Sequence, residues 1–191
     1  GVQEENIEEA IDAFQQSLQV MTQEAMPSHW ALAMNNLAAA YAMRLRGEPA
    51  KNIENAITTF EQVLEIYQPT QFPSSCRNSA GFLGKLYTDI QRWDKASTAD
   101  EKALKAADIL YESSLSLSSR EGELSENRDL FRQAAYVRAR AGDLEGAVVA
   151  IELGRARGLS EILERDRAEL STLKTSAPKI YEQYQQAAAT L

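Results

Sequence analysis

One histidine and one cysteine, His29 and Cys76, are the only imidazole and the only thiol in this 191-residue chain. An imidazole beside a thiol can take its proton and leave a thiolate ready to attack a carbonyl. The pair lies 47 residues apart, close to the 46-residue period with which the chain repeats itself. That period sets the two at nearly matching positions of successive helical hairpins, within roughly 10 Å if those hairpins pack side by side. Both stand at the start of packing helices, and no third group is placed to orient the base, so the geometry a nucleophile needs is missing and a structural role is expected. A helical hydrolase using His29 and Cys76 stays as a third reading, which the reactivity of Cys76 would decide. No His or Cys pair has metal-ligand spacing, and Gly142 and Gly146 lack the flanking pattern of a phosphate loop. The expectation is a non-catalytic chain with no catalytic residue, no metal and no cofactor.

The elements that would position any site come from the repeat. Residues 6–51 are written again from 52 onward, with matches at Asn6/Asn52, Ile7/Ile53, Glu8/Glu54, Ala10/Ala56, Ile11/Ile57, Phe14/Phe60, Leu18/Leu64, Pro27/Pro73, Ser28/Ser74, Leu37/Leu83 and Tyr41/Tyr87. Periods of 20–50 residues mark stacked supersecondary units. The apolar residues inside each copy recur at helical spacing, so each unit is a helical hairpin that buries its apolar face against its neighbours.

Composition narrows the partners. Glycine (9) and proline (5) are scarce, which favours helix throughout and predicts an all-α fold. The net charge of −8 is concentrated early: residues 1–70 hold 10 acidic and 3 basic side chains, whereas residues 126–191 hold 10 of each. Nucleic-acid binding needs clustered excess Lys and Arg, so none is expected. No apolar run approaches the roughly 20 residues of a membrane span. A single cysteine suits a reducing, cytoplasmic setting. The opening Gly1-Val2, without Met, suggests a piece of a longer chain.

The expected helices run over about 6–24 (Asn6 as N-cap), 29–46 (Ser28 as cap), 52–67 (Asn52 as cap) and 75–91. A fifth follows Trp93-Asp94 and runs to about 116, a polar break covers 117–124, a sixth 126–141, a seventh 144–170 capped by Asp143, and a last helix follows Pro178. Gly84 stands where Ala38 stood and is read as a packing device that lets the two helices of a hairpin approach. Gly154 and Gly158 are likewise read as close helix packing. Leu159, Ile162, Leu163, Leu170 and Leu173 continue an apolar stripe, and Ile180, Tyr184 and Ala187 face it from the last helix.

The small-and-aromatic pattern resembles the tetratricopeptide repeat. Leu37-Ala38, Tyr41, Ala56 and Phe60 carry it in the first unit, Leu83-Gly84, Tyr87 and Ala96 in the second, and Ala134-Ala135, Ala147 and Ile151 in the third. Asp100 stands where the second unit's aromatic belongs, and Arg138 where the third unit's tyrosine belongs. The wording of Pro27–Ala31, Asn35-Asn36-Leu37-Ala38, Arg44–Gly47, Asn52–Ile57 and Glu152–Leu159 with Glu161-Ile162-Leu163 is similar to the long repeats that precede a CHAT domain, a caspase-like cysteine protease fold. The resemblance implies an α-α superhelix over residues 1–171 (units about 6–51, 52–93, 94–142 and 143–171), with residues 172–191 as a C-terminal helix on the last repeat helix.

In that family the first helix of each hairpin lines a concave groove. The resemblance therefore places Asn35, Ala39 and Ala42 there, then Asn78, Phe82, Lys85 and Asp89, then Asp129, Arg132, Gln133, Tyr136 and Arg140. The chaperone-binding subfamily grips a C-terminal carboxylate with Lys, Asn and Arg at positions occupied here by Asn35, Ala39, Phe82, Asp129 and Gln133, so no chaperone-tail binding is expected. The implied peptide-binding residues are Asn35, Asn78, Phe82, Lys85, Arg132, Tyr136 and Arg140, with Arg132 the first to test. The expected function is a protein- or peptide-binding scaffold, the regulatory region of a CHAT-type protease. The alternative is a structural module that associates with its own copies through open repeat ends at Ile7, Phe14 and Leu18.

Overall fold

The computed structural model describes residues 1–188, with side chains at all of these except 117, 158, 160–162, 164–168, 184 and 186–188. The expectations for Gly158, Ile162, Tyr184 and Ala187 therefore lie outside the described side chains. Every regular element among the described residues is helical: α1 (Val2–Leu18), α2 (Pro27–Met43), α3 (Pro49–Ile66), α4 (Pro73–Asp89), α5 (Trp93–Ser113), α6 (Leu117–Ala141), α7 (Leu144–Ser176) and α8 (Pro178–Ala188). The helices pack mainly against their neighbours in sequence, and the pairs α2/α3, α4/α5 and α6/α7 pack most extensively.

Proline sets the helix starts. Pro27, Pro49 and Pro73 each occupy a first helical position, where the missing N–H costs nothing and the fixed φ suits the helix. The expected caps Ser28 and Asn52 are consequently interior, and Asn6 is interior because α1 begins at Val2. Asn52 instead holds a turn in place. Only 4 % exposed, it donates from Nδ2 to the carbonyls of Arg46 (2.8 Å) and Arg44 (3.3 Å) and pins the chain where it enters α3. The first helix ends at Leu18, earlier than expected.

The expected polar break at 117–124 is the first turns of α6. Ser116 caps it, its Oγ accepting from the Ser119 N–H at 3.1 Å, and the polar residues that looked like a break form an exposed helix face. Gly142, at φ +89°, ends α6 in the left-handed conformation. Asp143 caps α7 as expected, accepting from the Gly146 N–H at 2.8 Å. At 33 residues, α7 outruns its expected length.

The core lies between successive helices and repeats in kind. Leu37 and Leu83, at 6 % and 4 % exposure, are equivalent and both buried. The two tyrosine hydroxyls are engaged from the same place in successive copies: Gln15 Nε2 donates to the Tyr41 hydroxyl at 2.9 Å, and the Tyr87 hydroxyl donates to Glu61. Gln15 and Glu61 are themselves 46 residues apart, so the sequence period is a structural one. Alanines 96, 99, 103, 106 and 107 line the buried side of α5 and let it approach its neighbours. Gly154 does the same for α7: a Cβ there would lie 3.1 Å from the Phe131 ring. Further along α7 the expected stripe divides: Leu159 and Leu163 are exposed, as is Ile180 on α8, whereas Leu170 and Leu173 are half-buried.

Candidate functional site

α4 and α6 run side by side and leave a cleft of about 500 Å³ between them. From α4 it is lined by Arg77, Asn78, Gly81, Phe82 and Lys85, and from α6 by Glu126, Asn127, Asp129, Leu130 and Gln133. Gly81 forms a bare stretch of wall, since a Cβ there would meet nothing within 4 Å. Phe82 is half stacked on the core, its ring 6.2 Å from that of Phe60 and inclined by 10°, yet 59 % exposed. An aromatic face held rigid from below and open above offers apolar contact at small entropic cost.

The charges of the cleft differ in what they are free to do. The Arg77 guanidinium is spent inside the protein: Nη1 lies 2.6 Å from Glu123 and Nη2 2.6 Å from Glu126, with buried Asn127 accepting at 3.5 Å. These bonds fasten the start of α6 to α4. Lys85 is exposed, and among the described residues no carboxylate stands within ion-pairing distance of it. Its ammonium is thus the cleft's available cation.

The seven residues the resemblance implied divide. Asn78, Phe82 and Lys85 line the cleft. Asn35 does not: its Oδ1 accepts from Ser79 Oγ at 2.7 Å, bridging α2 to α4. Arg132 is exposed and paired with Asp129 one turn away at 3.3 Å, outside the lining. Arg140 lines a second recess, at the start of α5, and Tyr136 stands beside it. There Tyr136 meets Trp93 edge-on at 6.1 Å, and the Arg140 guanidinium sits 4.8 Å above Trp93 and 6.0 Å from Tyr136. Sequence reasoning missed Trp93 because the repeat treats it as a turn residue.

Among the described residues no hydrogen bond joins His29 and Cys76. His29 is exposed, whereas Cys76 is fully buried on α4 and burial pushes its thiol above the ordinary range, only partly opposed by Lys102. A buried, protonated thiol is a packing group. Among the described residues no group of three or more His, Cys, Asp or Glu side chains could hold a metal ion, and no helix is long and apolar enough to cross a membrane.

Behind the cleft lies a buried acid. Asp100 follows Ala96 on α5 as Phe60 follows Ala56 on α3, and it is 1 % exposed. Gln133 Nε2 donates to its Oδ1 at 2.7 Å, while Oδ2 has no partner among the described residues. Opposite stands Gly84, where a Cβ would press on Asp100 Oδ1 and lie 3.0 Å from Gln133 Nε2. Gly84 is a packing device, as expected, but what it makes room for is a carboxylate. Burial dominates the electrostatics, against the Gln133 bond and the Arg138 charge, and pushes the Asp100 carboxyl up to about 7. The signal for this site was visible as an acid at an aromatic position.

No protein-family model matches the chain, and a comparison with curated proteins finds no match.

Proposed function

We propose that the chain is a non-catalytic scaffold that binds a protein or peptide partner along the α4/α6 face. In this reading the helices form a tetratricopeptide-type α-α superhelix, and the chain is the regulatory repeat region of a CHAT-type protease acting in the cytoplasm. Partner binding at the cleft alters the packing of α7 and α8 and so gates what they adjoin. The observation that carries the reading is the cleft itself, with a rigid half-exposed Phe82, bare Gly81 and an available Lys85 side by side. An extended polypeptide presents the matching chemistry: backbone against Gly81, an apolar side chain on Phe82 and a carboxylate for Lys85. The test is quantitative capture of partners by the intact gene product, wild type against Lys85→Glu. Loss of at least one partner from the variant supports the reading, and an unchanged partner set refutes it.

A second reading, self-association, is favoured by one observation. A recess of about 640 Å³ on α1 and α2 is lined by Val2, Ile7, Ala10, Phe14 and Met43 among others. The equivalents of Ala10 and Phe14 one period on, Ala56 and Phe60, are at most 1 % exposed, so this face is one that the repeat elsewhere covers. Light scattering over a concentration series, wild type against Phe14→Glu, decides it. A mass that rises with concentration only in the wild type supports self-association, and a constant monomer mass contradicts it.

A further inference from the structure

Asp100 stands where three helices of two successive pairs meet: α5, which carries it, α4 at Gly84, and α6 at Gln133. Its ionised form has one hydrogen bond and an oxygen that accepts from no described residue. A buried carboxylate so poorly served gains much by opening to water, and the neutral acid, with no charge to solvate, gains far less. Gln133 holds it from the other side and also lines the α4/α6 cleft, so any movement of the Asp100 environment reaches the cleft through one side chain.

We propose that Asp100 and Gln133 form a proton-operated latch: with the proton on Asp100, α6 stays tight against α4 and α5, and on its loss the junction loosens and the cleft changes width. The functional consequence rests on the binding role of the cleft, but the latch itself is independent of any ligand.

The other charges around the site leave this switch to Asp100. From α6, Arg138 faces it, but that guanidinium also holds the Gly146 carbonyl at 3.2 Å and Glu101 at 3.4 Å; Asp129 and Arg132 pair with each other at the exposed surface. From α4, Gly84 presents backbone, and Lys85 and Asp89 are exposed. On α5, Glu101 is taken by Arg138, and Lys102 donates to the Leu64 carbonyl at 2.7 Å.

The sign follows from the raised carboxyl. In the unfolded chain an aspartate releases its proton at about 3.9, and in the folded protein at about 7. Folded protein therefore holds the extra proton between those values, and the stability it confers is full below the lower one and lost as pH rises through the upper. A separation of roughly three pH units bounds the effect on the opening equilibrium at about a thousandfold.

Two measurements on the full chain test the latch. The Asp100 side-chain carboxyl resonance, followed by carbon-detected NMR, is expected to titrate with a midpoint between about 6 and 8. Hydrogen exchange of α6 amides around Gln133, corrected for the intrinsic pH dependence, is expected to quicken at least tenfold from pH 5.5 to 8 in the wild type and to stay flat in Asp100→Asn. A midpoint near 4, or corrected exchange that is flat in the wild type, overturns the proposal. Because the NMR titration uses unaltered protein, it decides even where Asp100→Asn folds poorly. If the latch holds while Gly81→Leu, which fills the cleft, leaves partner capture unchanged, the binding reading alone falls.

Discussion

Two glycines one turn apart on α4 should respond to the same substitution with opposite signs. Glycine in a helix interior costs about 1 kcal/mol relative to alanine, chiefly in backbone entropy. At Gly81 that gain is unopposed, because a Cβ meets nothing within 4 Å, so Gly81→Ala should stabilise the protein by about 1 kcal/mol. At Gly84 the Cβ would run into Asp100 Oδ1, stand 3.0 Å from Gln133 Nε2 and 3.1 Å from Asp100 Cγ. Overpacking a tight interior costs about 1–3 kcal/mol, and weakening a hydrogen bond to the protonated acid about 0.5–1.5 kcal/mol more. Set against the propensity gain, the net for Gly84→Ala is destabilisation by about 2 kcal/mol, or a fall in Tm of about 4–8 °C for a chain of this size. Ala38 shows that alanine is tolerated one period earlier, where it is fully buried in a unit that carries Phe60 rather than an acid. The double variant Gly84→Ala/Asp100→Ala should recover most of the loss. Urea denaturation of the three variants measures all of this. A Gly84→Ala protein as stable as Gly81→Ala would refute the claim that the Gly84 position is shaped around Asp100.

Three further outcomes follow from the same interactions. Asn52→Ala leaves the Arg44 and Arg46 carbonyls without their buried donor and should cost about 1–3 kcal/mol in urea denaturation; a change under about 0.5 kcal/mol would show that the turn does not depend on this amide. Cys76 should react with iodoacetamide at pH 8 roughly 100-fold more slowly in native protein than in denaturant, because it is buried and its thiol is pushed up; equal rates would reopen a nucleophilic role. Arg77→Ala separates α4 from both Glu123 and Glu126 and should destabilise by about 2 kcal/mol, between the values for exposed and buried pairs. A melting temperature identical to wild type would remove Arg77 as the fastener of α6.

The repeat was legible because the same residues meet the same partners twice. The matches at Leu37/Leu83 and Tyr41/Tyr87 reappear as equivalent burial and equivalent tyrosine bonds. Helix ends were less legible, since Asn6 and Asn52 have the chemistry of caps and, at Asn52, only the proline at the first helical position reveals that the helix begins earlier. The run 117–124 looked like a break by propensity, but a helix held further along by packed residues tolerates a polar first stretch with one good cap. At the site, Asn78, Phe82 and Lys85 were set on one face by the resemblance, and they line one cleft. That Asn35 is used by Ser79, that Arg77 is neutralised by residues 46 and 49 positions away, and that Tyr136 and Arg140 gather around Trp93 depend on which helices adjoin, which no single helix records. Asp100 was conspicuous as an acid among aromatic positions, but its partner Gln133 lies 33 residues on and belongs to another helix.

Whether partners contact the α4/α6 cleft is tested most directly by photo-crosslinking. A crosslinking side chain is placed at Gly81, in the open wall of the cleft, and separately at Glu65, an exposed position on α3, in the intact gene product. A binding cleft gives crosslinks to a partner from position 81, abolished by Phe82→Asp, and none from position 65. Crosslinks from position 65 with none from position 81 would contradict a partner site between α4 and α6.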